Sequence, residues 1–350
     1  MNFTVLQLEG GPLTKEFKRL CPVITLPEFP WNVEHIFNND TLRKKLAIHL
    51  LIQKLKGKHF DLIYSNTMVC LATAKALKRF LSVPLLLHTH EGKYNQSYLH
   101  TQSDWLRACD HVIAVSPLAL KNLVELGAET DRIHVVFPTS VFIQQLLTDC
   151  PASSPKKEKT GKIVIGFIGP LIERKGADLL AKIAKSLTHL HPDCDFEIHC
   201  IGNSPELEEE RQHVVYDAWR LGVADKFRHI APTSDPVPAY QNIDILLVPS
   251  REESFSLVVP ECGLLGKPVI LFDGSCGVQH LLQNEQNALL VPYLDTDAVA
   301  EAIYRLSVDA KLRQTLGEQL RLTMKEHYTH NDTNSQIIQI LENIEKERKP

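Results

Sequence analysis

The amino-acid sequence predicts an α/β fold made of two domains, each with its own parallel sheet. The chain of 350 residues is long enough for two domains of ordinary size. Short apolar segments rich in β-branched residues alternate with amphipathic segments of helical periodicity through most of the chain. A polar segment at 150–162, rich in Pro, Ser and Lys, interrupts this alternation near the middle. Strands that alternate with helices form βαβ units, so two parallel sheets and a ligand cleft between them are expected.

The elements follow the alternation in order. In the first half, strands are predicted at 3–7, 23–26, 62–65, 84–88, 111–115 and 134–137, with helices at 41–56, 70–80 and 118–126. In the second half, the predicted strands are 163–168, 196–201, 227–230, 243–248 and 268–272. The predicted helices there are 177–190, 205–221, 257–265, 296–306, 310–327 and 334–348. The expected domains are therefore 1–155 and 160–330, followed by a terminal helix at 331–350.

Composition and charge argue against several classes of function. Apolar residues make up 44% of the chain, as in an ordinary globular protein, and the net charge of −4 gives no general basis for binding nucleic acid. The eight cysteines form no C-x-x-C pair, which favours reduced thiols over disulfides or a zinc site. No apolar run reaches the length of a membrane-spanning helix, and residues 1–11 lack the layout of a signal peptide. A cytoplasmic location is therefore expected.

The segment 249–268 (PSREESFSLVVPECGLLGKP) carries the clearest pattern for a binding site. A predicted strand ends before it, and Ser256 is expected to cap a helix that begins at Leu257. Gly266 is expected to end that helix. The backbone amides from Phe255 onward would then face out of the carboxyl end of a parallel sheet, which suits an anion such as a diphosphate.

Two acids and one lysine surround this helix start. Glu253 precedes the helix and Glu261 lies within it, so that one carboxylate can bind sugar hydroxyls and the other a ribose diol. Lys175, at a predicted strand-to-helix turn, is positioned to balance the charge of a departing diphosphate without a metal ion. Plainer alternatives stay open, because acids at a helix N-terminus also stabilise its dipole and most lysines are simply solvated. Gly202, in a turn after the next strand, marks another place where backbone can approach a ligand.

The second half contains an ordered set of short motifs. They are Gly169 with Arg174-Lys175-Gly176, Ile201-Gly202, Asp244 with Pro249-Ser250, Glu253 with Glu261, Gly266-Lys267-Pro268-Val269 and Asn287-Ala288-Leu289-Leu290-Val291. Their order resembles that of the retaining GT-B glycosyltransferases of family 4, the glycosyl transferases group 1, clearly over 162–328 and loosely in the first half. The resemblance implies a GT-B fold, in which two Rossmann-like domains face each other across a cleft.

The resemblance also implies roles for particular residues. Glu261 would bind the ribose, Glu253 the donor sugar and Lys175 the diphosphate, while His90 would face the donor sugar from the first half. The base would lie against the strand end formed by 228–231. The remaining expected donor contacts are Arg174, Gly169, Gly202, Phe255, Ser256, Leu257, His229 and Ile230.

The implied reaction transfers a sugar from a nucleotide-sugar donor to an acceptor hydroxyl with retention, and without a metal ion or another cofactor. The acceptor stays open between a sugar, a lipid-linked molecule and a protein. Two alternative functions also stay open. One is a sugar-nucleotide epimerase on the same fold, and the other is a non-catalytic protein that binds a nucleotide or a protein partner.

The chain departs from the family pattern at two places. Pro170 stands where the family usually has arginine, and Arg174 is expected to supply that charge. The family's Gly-Gly-x-x-Glu loop reads Cys276-Gly277-Val278-Gln279-His280 here, which leaves the sugar specificity open.

The start of the chain and its histidine pair also allow alternatives. His88 and His90 end a predicted strand; a structural role is expected for His88, and a metal site would lack a third ligand. The Gly10-Gly11 loop follows what resembles the second strand of the family, which predicts that the first strand is absent and activity weakened. Alternatively, Gly10-Gly11 is itself the family's first glycine-rich loop.

Two charge patterns have plain explanations that are favoured over functional ones. The basic amphipathic helix predicted at 41–56 can rest on anionic lipid, but a core-facing helix with a solvated basic side is expected more often. The D-x-D triplets at 193–195 and 295–297 suggest metal ligands, but turn and cap roles account for both.

Overall fold

The computed structural model describes residues 1–8, 10–11, 13–25, 40–92, 105–149, 161–203 and 205–348. Most of the polar segment predicted at 150–162 lies outside these residues, so the domain boundaries inferred from it stay a prediction. Among the described helices, none has the length and apolar character needed to cross a membrane.

The strands follow the apolar runs of the sequence. They are β1 (Val5–Gln7), β2 (Val23–Thr25), β3 (Ile63–Asn66), β4 (Leu85–Thr89), β5 (His111–Ala114), β6 (Ile133–Val135), β7 (Ile163–Ile168), β8 (Phe196–Ile201), β9 (Phe227–Ile230), β10 (Ile245–Val248), β11 (Val269–Phe272) and β12 (Leu289–Val291). They form sheets in the orders β1–β2, β3–β4–β5–β6 and β12–β11–β10–β7–β8–β9.

The helices connect these strands. They are α1 (Thr14–Leu20), α2 (Asp40–Leu55), α3 (Leu71–Leu81), α4 (Trp105–Ala108), α5 (Pro117–Glu125), α6 (Val141–Asp149), α7 (Leu180–Leu190), α8 (Glu208–Arg220), α9 (Val237–Gln241), α10 (Val258–Leu264), α11 (Thr296–Val308), α12 (Ala310–His330) and α13 (Thr333–Arg348). Two predicted helices begin as 3₁₀ turns, Ala177–Leu179 before α7 and Pro205–Leu207 before α8.

The first of two compact units comprises Met1–Thr89, Asp104–Val112 and Ile344–Pro350. It contains the parallel pairs β1–β2 and β3–β4. One cluster of its buried core is formed by Leu51, Leu55 and Leu77, against which Leu6, Ile24, Ile52, Phe60, Ile63 and Leu81 pack. The leucines at the end of α2 are therefore core residues, as the plainer explanation of this basic helix predicts, whereas Leu46 and Leu50 of the same helix are exposed.

The second unit comprises His90–Ser103 and Ile113–Asn343 and contains the six-stranded parallel sheet. Strands β7, β10 and β11 are buried along their whole length, as parallel strands covered by helices are expected to be. Helices α7 and α11 supply large parts of the core, which includes Phe167, Phe196, Leu180, Phe272 and Ile303.

The order of this sheet has a switch point at β7. The chain passes from β7 outward through β8 to β9, then returns to the other side of β7 and continues through β10 and β11 to β12. The connections that follow β7 and β10 therefore run toward opposite edges of the sheet. Ligands of open α/β sheets commonly bind at such a point.

Candidate functional site

Glycines fix the backbone at the carboxyl ends of the middle strands. Gly169 directly follows β7 with φ of 125°, and Gly202 follows β8 with φ of 91°, conformations that side chains with a Cβ rarely adopt. The Gly169 amide donates to the carbonyl of Ile201 at 2.8 Å, and the Gly202 amide donates to that of Ile230 at 3.0 Å. These two hydrogen bonds align the carboxyl ends of β7, β8 and β9. The carbonyl oxygen of Ile230 already accepts a hydrogen bond from the Gly202 amide.

A buried carboxylate and two cations meet between the loops after β7 and β10. Lys175 Nζ lies 2.5 Å from Glu253 Oε1, and Arg174 Nη1 lies 3.4 Å from Oε2. The Ser250 hydroxyl donates to Oε1 at 3.2 Å, and the Glu253 side chain is only 8% exposed. The three charged groups carry one more positive than negative charge, so the cluster can attract an anion.

Close packing joins the two loops that supply this cluster. Gly176 has φ of 77°, and a Cβ there would lie 1.9 Å from the carbonyl oxygen of Pro249, so only glycine fits. Arg251 donates from its backbone amide to the carbonyl of Arg174 at 2.9 Å. Its guanidinium binds Asp178 with two hydrogen bonds of 2.7 and 2.8 Å, a geometry that fixes orientation.

The loop after β11 holds Glu253 from its other side. The amide of Glu253 donates to the carbonyl of Ser275, and that of Gly277 donates to the carbonyl of Glu253, each at 2.8 Å. A Cβ at Gly277 would lie 1.9 Å from the Ser254 carbonyl oxygen. That carbonyl accepts a hydrogen bond of 2.6 Å from the hydroxyl of Ser116, which also caps α5.

The start of α10 differs from the prediction in one respect. The helix begins at Val258, and Ser256 does not cap it, because its φ of 79° differs from the extended conformation that a capping residue needs. Within the described part of the chain, the amides of Phe255, Ser256 and Leu257 donate to no other protein group. The Phe255 ring is buried against Phe137, at 6.2 Å between centroids, so only its backbone can face a ligand.

Glu261 lies on α10 in different surroundings. Its residue is 8% exposed, the Tyr240 hydroxyl donates to Oε2 at 3.3 Å, and the Ser140 hydroxyl donates to Oε1 at 3.4 Å. Burial raises the pKa of this carboxyl to about 7, while the two hydroxyls act in the opposite direction. Sequence reasoning missed Tyr240 and Ser140, since neither belongs to a motif.

Two predicted histidines lie on or directly after other strands. On β9, burial and the Arg211 guanidinium lower the pKa of His229. His90 directly follows β4, where desolvation lowers the pKa of its ring and its amide donates to the Glu91 carboxylate at 3.1 Å. Buried His88 is hydrogen-bonded to the Tyr64 hydroxyl, in keeping with the structural role predicted for it.

The two D-x-D triplets have structural contacts. Asp295 caps α11 by accepting from the amides of Asp297 and Ala298 at 3.1 and 2.9 Å. Asp195 lies 3.9 Å from Lys162 Nζ. Among the residues that the structure describes, no three His, Cys, Asp or Glu side chains are grouped as metal ligands.

Family models and a relative in sequence decide the family. The model of the glycosyl transferases group 1 matches residues 151–323, and that of glycosyltransferase family 4 matches 5–138. A D-inositol 3-phosphate glycosyltransferase of Corynebacterium jeikeium is 32% identical over 285 residues, covering 75% of this chain and 68% of that enzyme. The chain belongs to the family 4 glycosyltransferases. The enzyme of the same name from Salinispora tropica is 27% identical, and the chain spans 59% of its length.

Solved structures of low sequence identity have the same fold. Anabaena HepE in complex with UDP and glucose has a TM-score of 0.72 at 18% identity, covering 97% of this chain and 91% of HepE. Sucrose-phosphate synthase from Thermosynechococcus elongatus has a TM-score of 0.72 at 20% identity, covering 93% and 83%. The predicted GT-B class with Rossmann-like domains is thereby confirmed.

Proposed function

We propose that the chain binds a nucleotide-diphosphate sugar and transfers the sugar to an acceptor hydroxyl with retention and without a metal ion. The observation that carries this proposal is the cluster of half-buried Lys175 and Arg174 around buried Glu253 at the switch point of the sheet. Two cations facing one carboxylate supply the positive charge that a diphosphate needs. The amides of Phe255, Ser256 and Leu257 offer hydrogen bonds to the same anion.

Relatives support a nucleotide-sugar as the donor class. The similar enzymes of Corynebacterium and Salinispora are named as D-inositol 3-phosphate glycosyltransferases, and HepE has been solved with UDP-glucose. A UDP-sugar is therefore the first donor to test, and the acceptor is a hydroxyl compound still to be identified.

Each residue then has a task in the proposed reaction. Glu261 accepts hydrogen bonds from ribose hydroxyls, Glu253 and His90 contact hydroxyls of the donor sugar, and Lys175 with Arg174 balances the diphosphate. As the bond from the anomeric carbon to the phosphate oxygen breaks, these cations stabilise the developing negative charge. The acceptor hydroxyl attacks from the same face and passes its proton to the departing phosphate oxygen, so no enzyme nucleophile is required.

The test measures binding and transfer separately. Calorimetry with UDP-glucose, GDP-mannose and ADP-glucose is expected to detect one donor, and Glu261→Ala is expected to abolish its binding. Lys175→Met is expected to slow transfer by about 100-fold or more, because a cation that stabilises the developing negative charge is removed. Glu253→Ala is also expected to slow transfer, because it removes contacts to the donor sugar and the acid that positions Lys175. The matched control is Lys182→Met, an exposed lysine on α7.

Three further outcomes decide the finer points. Retention predicts an α-linked product from an α-linked donor, read from the anomeric proton coupling. Metal independence predicts an unchanged rate in excess EDTA. Wild-type donor affinity in Glu261→Ala contradicts the assignment of the ribose site, and donor turnover without any acceptor contradicts glycosyl transfer in favour of an epimerase.

A further inference from the structure

Both oxygens of the Glu261 carboxylate face hydroxyl groups from distant parts of the second unit. Tyr240, on α9, is 21 residues away in sequence, and Ser140, just before α6, is 121 residues away. Within the described part of the chain, no lysine, arginine or histidine forms an ion pair with Glu261. The carboxylate is therefore stabilised by hydroxyl groups, whereas Glu253 is stabilised by cations.

The hydroxyl of Ser140 takes part in two hydrogen bonds, one as acceptor and one as donor. Its Oγ accepts a hydrogen bond of 3.1 Å from the amide of Ile143 and so caps α6. A serine hydroxyl has a single proton, so this oxygen can accept from Ile143 and donate to Glu261 at the same time. The fold of the α6 start thus directs a donor at the carboxylate.

The Tyr240 ring is held in a comparable way. Tyr240 is buried, and its ring meets the edge of Phe142 on α6 at 5.9 Å between centroids and an interplanar angle of 76°. This edge-on packing restricts the ring and so directs its hydroxyl at Oε2 of Glu261. Residues at the start of α6 therefore contribute to both hydrogen bonds, one directly and one through the tyrosine ring.

We propose that Tyr240 and Ser140 are positioning residues for Glu261, which orient its carboxylate and favour its ionised form. The inference rests on the proposed function, because it takes Glu261 as the group that meets the ribose. Each carboxylate oxygen can accept two hydrogen bonds, so each retains one acceptor site for a ribose hydroxyl after binding its protein donor. The two protein hydroxyls would thus preorganise the carboxylate for binding the ribose.

The charges around Glu261 make its ionisation sensitive to these two donors. Burial raises its pKa to about 7, and the hydroxyls of Tyr240 and Ser140 lower it. The other titratable groups that interact with it are Tyr328 of α12, whose pKa is raised by burial and by Glu261, and the buried Cys262 thiol. The positive charge of Lys267 acts to lower the pKa of the Cys262 thiol, against the larger effect of burial.

The first experiment reads the Glu261 carboxyl directly in the ligand-free protein. The protein is labelled with carbon-13 at the glutamate carboxyls, the Glu261 signal is assigned with Glu261→Gln, and its chemical shift is followed against pH. Tyr240→Phe and Ser140→Ala are each expected to move the midpoint upward by about half a unit to one unit, a roughly three- to tenfold change in proton affinity.

Three controls separate positioning from general loss of structure. Ser140→Thr keeps a hydroxyl and is expected to retain the wild-type midpoint. Phe142→Leu alters the packing of the tyrosine ring without removing a donor, so its shift is expected to be smaller than that of Tyr240→Phe. Asp309→Ala removes a cap from α12, where the carboxylate accepts from Leu312, and is expected to leave the midpoint unchanged.

The second experiment measures the affinity for UDP against pH by calorimetry. Affinity is expected to fall as the pH drops below the Glu261 midpoint, and this fall is expected at higher pH in Tyr240→Phe and Ser140→Ala. Coincident midpoints in the carbon-13 titrations of both variants and wild type overturn the positioning role, even if UDP binds. Absence of UDP binding at every pH overturns the proposed function, while shifted midpoints still support the positioning role.

Discussion

Glu253 and Glu261 are both buried, but their carboxylates face different partners. Lys175 and Arg174 approach Glu253, whereas Tyr240 and Ser140 donate hydroxyl hydrogen bonds to Glu261. Cations favour the charged carboxylate directly, whereas hydroxyls only reduce the cost of burying it. The two acids are therefore suited to different tasks, one beside a diphosphate and the other beside an uncharged diol.

Glu261→Gln is expected to make the protein more stable at pH 8 while abolishing nucleotide binding. The folded-state pKa of about 7 lies above the ordinary 4.5, so the folded protein binds the proton more strongly than the unfolded chain does. The associated stability is present at low pH and is lost as the pH rises through 7. An uncharged amide avoids this loss. The free energy of unfolding at pH 8 is therefore expected to increase by roughly 1–3 kcal/mol.

Urea unfolding at pH 5 and pH 8 measures the difference. The gain is expected to shrink toward pH 5, where Glu261 is protonated in the folded protein. Glu326→Gln, at an exposed position on α12, is the matched control and is expected to have no effect at either pH. A gain of equal size at both pH values would exclude ionisation of Glu261 as its cause.

At the scale of elements, the sequence predicts the central sheet better than its short connections. Strands β7, β8 and β9 coincide with the predicted 163–168, 196–201 and 227–230. Strand β7 is a continuous apolar run, whereas β8 alternates apolar with polar residues and β9 has apolar residues only at its two ends. Helix α9 was missed because it has five residues and contains a proline, so no helical period can be read. Helix α6 was also missed; only five residues, of which two are polar, separate it from β6.

The same difference explains how much of the site could be predicted. Lys175, Arg174 and Glu253 lie in local motifs that follow strands, so sequence order alone brings them to one edge of the sheet. Tyr240 and Ser140 are common residue types, one on missed helix α9 and the other just before missed helix α6, and only folding brings them to Glu261. The predicted cap at Ser256 was wrong because a left-handed backbone conformation is not visible in a sequence.

Gly277→Ala is expected to disturb the connection between the loops after β10 and β11. A Cβ there would lie 1.9 Å from the Ser254 carbonyl oxygen and 2.4 Å from the Ser116 hydroxyl, so the loop that carries Glu253 must shift. Overpacking of this kind typically costs about 1–3 kcal/mol. Thermal unfolding and donor calorimetry are expected to show a lower Tm together with weaker binding.

Gly10→Ala serves as the control for this substitution. A Cβ at Gly10 would have no atom within 4 Å, so the Tm of this variant is expected to match that of the wild type. A wild-type Tm in Gly277→Ala would mean that the loop tolerates the methyl group without moving.

At the scale of the whole molecule, buried His327 and neighbouring His280 are expected to set part of the acid sensitivity. His280 stacks on Phe137 at 4.5 Å between centroids, and His327 meets the same ring edge-on at 4.9 Å. Burial lowers the pKa of both, and that of His327 falls to about 4 with the help of nearby His280. The unfolded chain takes up these protons near pH 6.5, so stability is lost as the pH falls from about 6.5 toward 4.

The prediction is tested by comparing wild type with His327→Leu in urea at pH 7.5 and pH 5. The wild type is expected to lose about 1–3 kcal/mol more than the variant over this interval, because leucine takes up no proton in the unfolded state. The comparison with the variant is needed because Glu261 acts in the opposite direction over the same interval. Parallel losses in the two proteins would exclude His327.

The order of the six-stranded sheet has a consequence for how the protein folds. Strands β7, β8 and β9 are neighbours in both sequence and space, so they can pair early, as the chain emerges from the ribosome. Strand β10 joins β7 only after the whole β8 and β9 region has been made, which closes a loop of about 80 residues at an entropic cost. The ion pair between Lys175 and Glu253 therefore forms late. A nascent chain that ends before β10 can pair β7, β8 and β9, but it lacks the carboxylate that binds Lys175.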